Sequence, residues 1–174
     1  MNRLDISQDA RTIASEFDAE VCALARRNIP NMRRISRRYA QRLKDHPPDF
    51  VLTVVSTLVR DYGYRGPAYE VLAGHRAAFH SLGLAEIEAL GQGIDSWKAV
   101  DEFARALSGP AWLQGQISDA AITRWAHSAD LWWRRAALVS TVALNMPSHG
   151  GPGDMPRTLA ICRLLVADHE DMVV

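Results

Sequence analysis

Cysteine is almost absent from this 174-residue chain, and one long stretch of it contains no acid. The two thiols, Cys22 and Cys162, lie far apart, with no Cys-x-x-Cys or histidine spacing around them. They therefore give no pattern for a disulfide framework or a metal site, and two free thiols fit a cytoplasmic protein. No apolar run reaches the length of a membrane span. Met1-Asn2-Arg3-Leu4-Asp5 is not followed by the apolar segment of a signal peptide. The expectation is a cytoplasmic protein without a membrane partner. The formal net charge is zero, which argues against binding a polyanion over the whole surface, although a total hides clusters. Runs that alternate apolar and polar residues with strand composition are missing. So are a Gly-x-Gly-x-x-Gly fingerprint, a phosphate loop and a Gly-x-Ser-x-Gly elbow. His75 and His80 are five apart and share a helix face poorly, so no metal is expected, nor any cofactor.

What remains is helical. Ile13, Phe17, Val21 and Leu24 recur at helical spacing within a helix expected over 11–25, which Asn28-Ile29-Pro30-Asn31 ends. Further helices are expected over 32–44, 49–59, 67–80, 84–90, 96–107, 119–126, 130–145 and 155–167. The joints between them include Gly91-Gln92-Gly93, Ser108-Gly109-Pro110 and Gly150-Gly151-Pro152-Gly153.

A weak repeat runs through this pattern. Asp61-Tyr62-Gly63-Tyr64-Arg65, Asp95-Ser96-Trp97-Lys98 and Asp130-Leu131-Trp132-Trp133-Arg134 recur about 35 residues apart, each in a helix–joint–helix unit. That period predicts an all-α fold, a right-handed α-solenoid of HEAT-like helical repeats forming one domain over 1–174. An irregular helical bundle with coincidental spacing is the competing reading. Asp168-His169-Glu170-Asp171 reads as a further helix start, cut off after Met172-Val173-Val174. The expectation is a repeat domain lacking its C-terminal repeats, with self-association through the apolar end.

The acid-free stretch runs from Val21 to Lys44. It carries Arg26, Arg27, Arg33, Arg34, Arg37, Arg38, Arg42 and Lys44, eight cations in a neutral chain. Arg34, Arg38 and Arg42 fall at i, i+4 and i+8, flanked by Arg33 and Arg37. A positive stripe of this kind is the footprint of a phosphate-backbone binder, and a solvated helix face is the plain alternative. Like charges at i, i+4 destabilise a helix, which argues for an anionic partner. Nucleic acid leads, ahead of an acidic protein or an anionic lipid.

Trp97 and Asp101 are four apart, on one face of a helix opening after Ser96. An indole beside a carboxylate can hold a flat cationic ligand. Taken alone, Trp97 could be interface packing, Asp101 a surface acid paired with Lys98 or Arg105, and Arg135 an ordinary helix salt-bridge partner. Of the adjacent Trp132 and Trp133, one is expected in the core. His127, near Trp125, is expected to be a satisfied interface residue.

Three segments together carry a resemblance. They are Ser96-Trp97-Lys98-Ala99-Val100-Asp101, then Trp125 to Ala137 with Trp132-Trp133-Arg134-Arg135, and then Arg157-Thr158-Leu159-Ala160-Ile161-Cys162 leading to 168–174. In order and spacing the chain resembles the DNA alkylation repair glycosylases built from HEAT-like repeats, over most of its length from about residue 30. The resemblance implies hydrolysis of the N-glycosidic bond of N3- or N7-alkylated purines in double-stranded DNA. It makes Asp101 the catalytic carboxylate, Trp97 an aromatic wall, and Arg135 a DNA-backbone contact with Arg134 beside it. Arg33, Arg34, Arg37 and Arg38 would clamp phosphates. It also implies a second tryptophan in a helix beyond Val174, so that one wall of the site is absent. A non-catalytic HEAT-like module binding DNA or an acidic protein is the alternative.

Overall fold

The structure, a computed structural model, describes residues 3–174, with side chains from residue 7 onward except at 149. Every regular element among these residues is helical. The chain divides into two compact units, one ending at Ser81 and the other spanning Leu82–Val174.

The first unit contains α1 (Arg3–Cys22), α2 (Ile29–Leu43), α3 (Pro48–Arg60), α4 (Arg65–Ala73) and α5 (Arg76–His80). Helix α1 packs on α3, and α2 packs on α4. Phe17 and Val21 of α1 are fully buried with Val51, Val54, Val55 and Leu58 of α3 in the same core. Each such side chain contributes ~1.5–3 kcal/mol of transfer free energy. Local chemistry sets the helix starts. Asn28 Oδ1 accepts the Asn31 amide at 3.0 Å, and Pro30 and Pro48 occupy first-turn positions where no intrahelical amide is required.

The helix expected over 67–80 is in fact two. Its break is built on His75, which is buried. His75 Nδ1 accepts the Ala78 amide at 3.0 Å, and Nε2 faces the His46 carbonyl at 3.1 Å. The ring therefore carries its proton on Nε2 and donates it to that carbonyl, starting α5 while tying it to the α2–α3 joint.

The second unit contains α6 (Leu84–Gly91), α7 (Trp97–Phe103), α8 (Gly109–Leu113), α9 (Asp119–Ala126), α10 (Leu131–Asn145) and α11 (Met155–Leu165). Helix α10 is its centre, in contact with α7, α8, α9 and α11. Here the expected joint at Ser108-Gly109-Pro110 is overturned. Helix α7 runs into α8 through a π turn at Ala104–Ser108, closed by the Gly109 amide on the Ala104 carbonyl. The wider turn carries Pro110, which has no amide to donate, into a first-turn position of α8. Gly109 is there for closeness: a Cβ would lie 2.9 Å from both Ala143 Cβ and the Ser140 carbonyl of α10. Beside it, the buried hydroxyls of Ser108 and Ser140 bond at 2.7 Å.

Residues 168–174 are also not the start of a helix. They form turns, in which the Glu170 carbonyl accepts the Val173 amide at 2.8 Å and Val173 is buried.

Side-chain contacts within each unit repeat at the period seen in the sequence. Arg33–Glu70, Arg124–Glu88, Arg135–Asp101 and Arg134–Asp168 join residues 34 to 37 apart. Each of these contacts spans about one period of the sequence pattern.

Candidate active site

Helix α7 begins where Gly93, at φ +73°, turns the chain and Ser96 Oγ accepts the Ala99 amide at 3.4 Å. Val100, Phe103, Ala104 and Leu107 point into the core. That leaves Trp97 and Asp101 on the outward face, one turn apart. Trp97 is 55% exposed, the most exposed tryptophan among the described residues. A large indole left in solvent at a rigid helix start is available to a ligand.

Asp101 is not paired with Lys98 or Arg105. Lys98 Nζ bridges Glu102 at 2.8 Å. Asp101 instead receives a forked pair from Arg135 of α10, Nε to Oδ1 at 3.0 Å and Nη2 to Oδ2 at 3.2 Å. Their side chains are 31% and 21% exposed. The fork fixes the carboxylate plane and keeps a cation against it. Arg135 Nη1 also donates to the Met172 carbonyl at 2.5 Å. Three of the five guanidinium N–H groups are thus engaged, and two remain for an outside anion.

Arg134 is more fully committed. Nε and Nη2 grip the Asp168 carboxylate at 2.6 and 3.1 Å, and Nη1 donates to the carbonyls of Ser128 and Ala129. Hydrogen bonding to Asp168 holds the guanidinium pKa above its ordinary value. The same bonds hold the Asp168 carboxyl below 3.8, and the Arg157 amide and guanidinium do likewise for Asp154. A depressed carboxyl stabilises the fold fully above its unfolded value and stops doing so as pH falls through its folded value. The thermal midpoint is therefore expected to drop on acidification below about pH 4. Asp168→Asn is expected to flatten that drop when melting is followed by circular dichroism across the acid range.

Behind α7 lies an aromatic core. Trp133 meets Phe103 edge-on at 5.9 Å and Trp125 at 4.8 Å. Trp133 is the inward member of the tryptophan pair, while Trp132 is half-buried at the helix start, where its amide donates to Asp130. Trp125 Nε1 donates to Glu88 at 2.7 Å, and Arg124 bridges the same carboxylate. Gly91 permits this packing, since a Cβ there would lie 2.8 Å from Trp133 Cη2. His127 is exposed and bonds the Thr123 carbonyl at the end of α9.

The cationic stretch, acid-free in sequence, is not acid-free in space. Arg33 bridges Glu70 at 3.0 Å, Arg42 bridges Glu16 at 2.5 Å, and Arg38 pairs with Glu20. Carboxylates of α1 and α4 thus offset the like charges along α2, and the helix needs no outside anion to form. Arg34 and Arg37 are exposed and have no acidic partner among the described residues.

Sequence reasoning did not identify Glu88, Asp168 or the pairing of Arg135 with Asp101. The usable signal was the repeat itself. An acid and an arginine separated by about one period lie side by side on packed helices. Among the described residues no group of three or more His, Cys, Asp or Glu could hold a metal ion, and no helix is long and apolar enough to cross a membrane.

A family model described as DNA alkylation repair enzyme matches residues 7–174, almost the whole chain. No curated protein and no solved structure matches it.

Proposed function

Because the chain belongs to the DNA alkylation repair enzyme family, we propose that it is a glycosylase. It would hydrolyse the N-glycosidic bond of purines alkylated at N3 or N7 in double-stranded DNA. The carrying observation is the Asp101 carboxylate, oriented by Arg135 and one helical turn from the exposed indole of Trp97.

The chemistry follows from the lesion's charge. An N3- or N7-alkylated purine is already cationic, so the electron pair of the breaking C1′–N bond neutralises it and no general acid is required. Positive charge builds on the deoxyribose, as in other glycosidic cleavages. Asp101 stabilises that charge, and water forms the new C1′–O bond as its proton passes by way of the carboxylate to solvent. Trp97 lies against the cationic nucleotide. Arg135 keeps Asp101 in place and has two N–H groups left for a phosphate oxygen.

The test is lesion choice. Duplexes carrying 7-methylguanine or 3-methyladenine are expected to yield free base, whereas a duplex carrying neutral hypoxanthine yields none. Release from all three would show a general acid and defeat this mechanism. Binding without release from any would favour a non-catalytic DNA-binding module, a reading supported by the engagement of Asp101 in an ion pair.

Arg34 and Arg37 are the phosphate contacts we assign on α2. Arg34→Ala or Arg37→Ala is expected to lower the slope of log affinity against log salt by about 1. Arg33→Ala and Arg38→Ala are expected to change it less, because Glu70 and Glu20 already offset those charges. Fluorescence anisotropy over a salt series measures the difference.

A further inference from the structure

We propose that Asp168 is a positioning residue: through Arg134 it fixes the turn at 168–173, and that turn fixes the Arg135 guanidinium that orients Asp101. The inference rests on the reading of Asp101 as the acting carboxylate.

Arg134 and Arg135 are adjacent on α10, so they leave the helix about 100° apart. Both nevertheless reach the same short segment. Arg134 takes the Asp168 carboxylate in a fork, and Arg135 takes the Met172 carbonyl. The Asp168 side chain is 9% exposed and that of Arg134 17%, so the fork is largely shielded from competing water. Asp168 also organises the turn from within, since its Oδ1 accepts the Glu170 amide at 3.0 Å. Burial of Val173 pins the other end. Arg134 Nη1, on the Ser128 and Ala129 carbonyls, ties the whole arrangement to the loop that starts α10.

The effect reaches Asp101 through the geometry of one guanidinium. With a carboxylate on one edge only, the Arg135 side chain could pivot about that edge. The Met172 carbonyl on Nη1 adds an acceptor on another side of the plane and removes that freedom. A displaced turn frees Nη1, and the Asp101 carboxylate then loses its fixed orientation. Small misplacements of a reacting group cost much in rate.

The test uses the whole chain and two readouts. Hydrogen exchange at the Arg135 Nε–H, followed by nitrogen-15 NMR, reports the fork without reference to activity. Asp168→Ala is expected to accelerate it about tenfold, with Asp168→Asn intermediate because one amide oxygen can still accept. Asp154→Ala, which removes an ion pair and a helix cap away from the turn, is expected to leave it unchanged. Single-turnover base release is expected to fall about 10- to 100-fold in Asp168→Ala, with DNA affinity maintained. Unchanged Arg135 exchange in either Asp168 variant would overturn the proposal. If the wild-type chain releases no base, the glycosylase reading fails, while the exchange result still decides whether Asp168 positions Arg135.

Discussion

Asp101→Asn is expected to slow release of a cationic alkylpurine by about 10²- to 10³-fold, the usual scale for removing one preorganised stabiliser of transition-state charge. The substitution keeps the shape of the side chain and one oxygen that Arg135 can reach. What it removes is the negative charge facing the sugar as the C1′–N bond lengthens. Asp101 and Arg135 are both partly exposed, so water can take over much of the lost pairing and the fold should persist. DNA affinity should also persist, because the phosphate contacts assigned to Arg34 and Arg37 lie on another helix. Single-turnover kinetics with saturating protein separates the two effects. A rate equal to wild type would remove Asp101 from its role.

Trp112→Ala is expected to cost about 3–5 kcal/mol of stability, the range for truncating a buried aromatic side chain. Trp112 is almost fully buried on α8, which packs against α10. Its indole N–H donates to Asp119 Oδ1 at 2.6 Å at the start of α9, and the Arg157 guanidinium of α11 lies 5.2 Å from its ring centre. One side chain thus links three helices, and its loss leaves a cavity and removes the indole hydrogen bond to Asp119. Trp112→Phe keeps most of the volume and loses the hydrogen bond, so it should cost ~1–2 kcal/mol. Trp97→Ala, on an exposed side chain, should stay within about 0.5 kcal/mol of wild type. Urea unfolding of the three variants orders them. Equal losses for Trp97→Ala and Trp112→Ala would contradict the burial assigned here.

The helical class was legible because it depends on local spacing. Ser96 and Asp130 read as helix starts, and both accept first-turn amides in the structure. Gly109-Pro110 misled because glycine and proline usually mark a joint. Here the glycine is needed for the approach of α10, and the proline is absorbed by a π turn. Neither reason is visible without the partner helix. The acids that offset part of the cationic stretch were hidden for the same reason: Glu16, Glu20 and Glu70 lie outside 21–44 in sequence and beside it in space. At the site, Trp97 and Asp101 could be placed on one face from four-residue spacing alone. The ion pair between Asp101 and Arg135 spans 34 residues, and only the packing of α7 on α10 brings the two together.

The decisive measurement is release of free base from a duplex with a single 7-methylguanine, set against spontaneous depurination of the same duplex. Wild-type chain is expected to release 7-methylguanine well above the spontaneous rate and leave an abasic site, while the Asp101→Asn chain binds the duplex and releases base only slowly. Tight, salt-sensitive binding with release at the spontaneous rate would contradict the glycosylase reading and leave a DNA-binding module in its place.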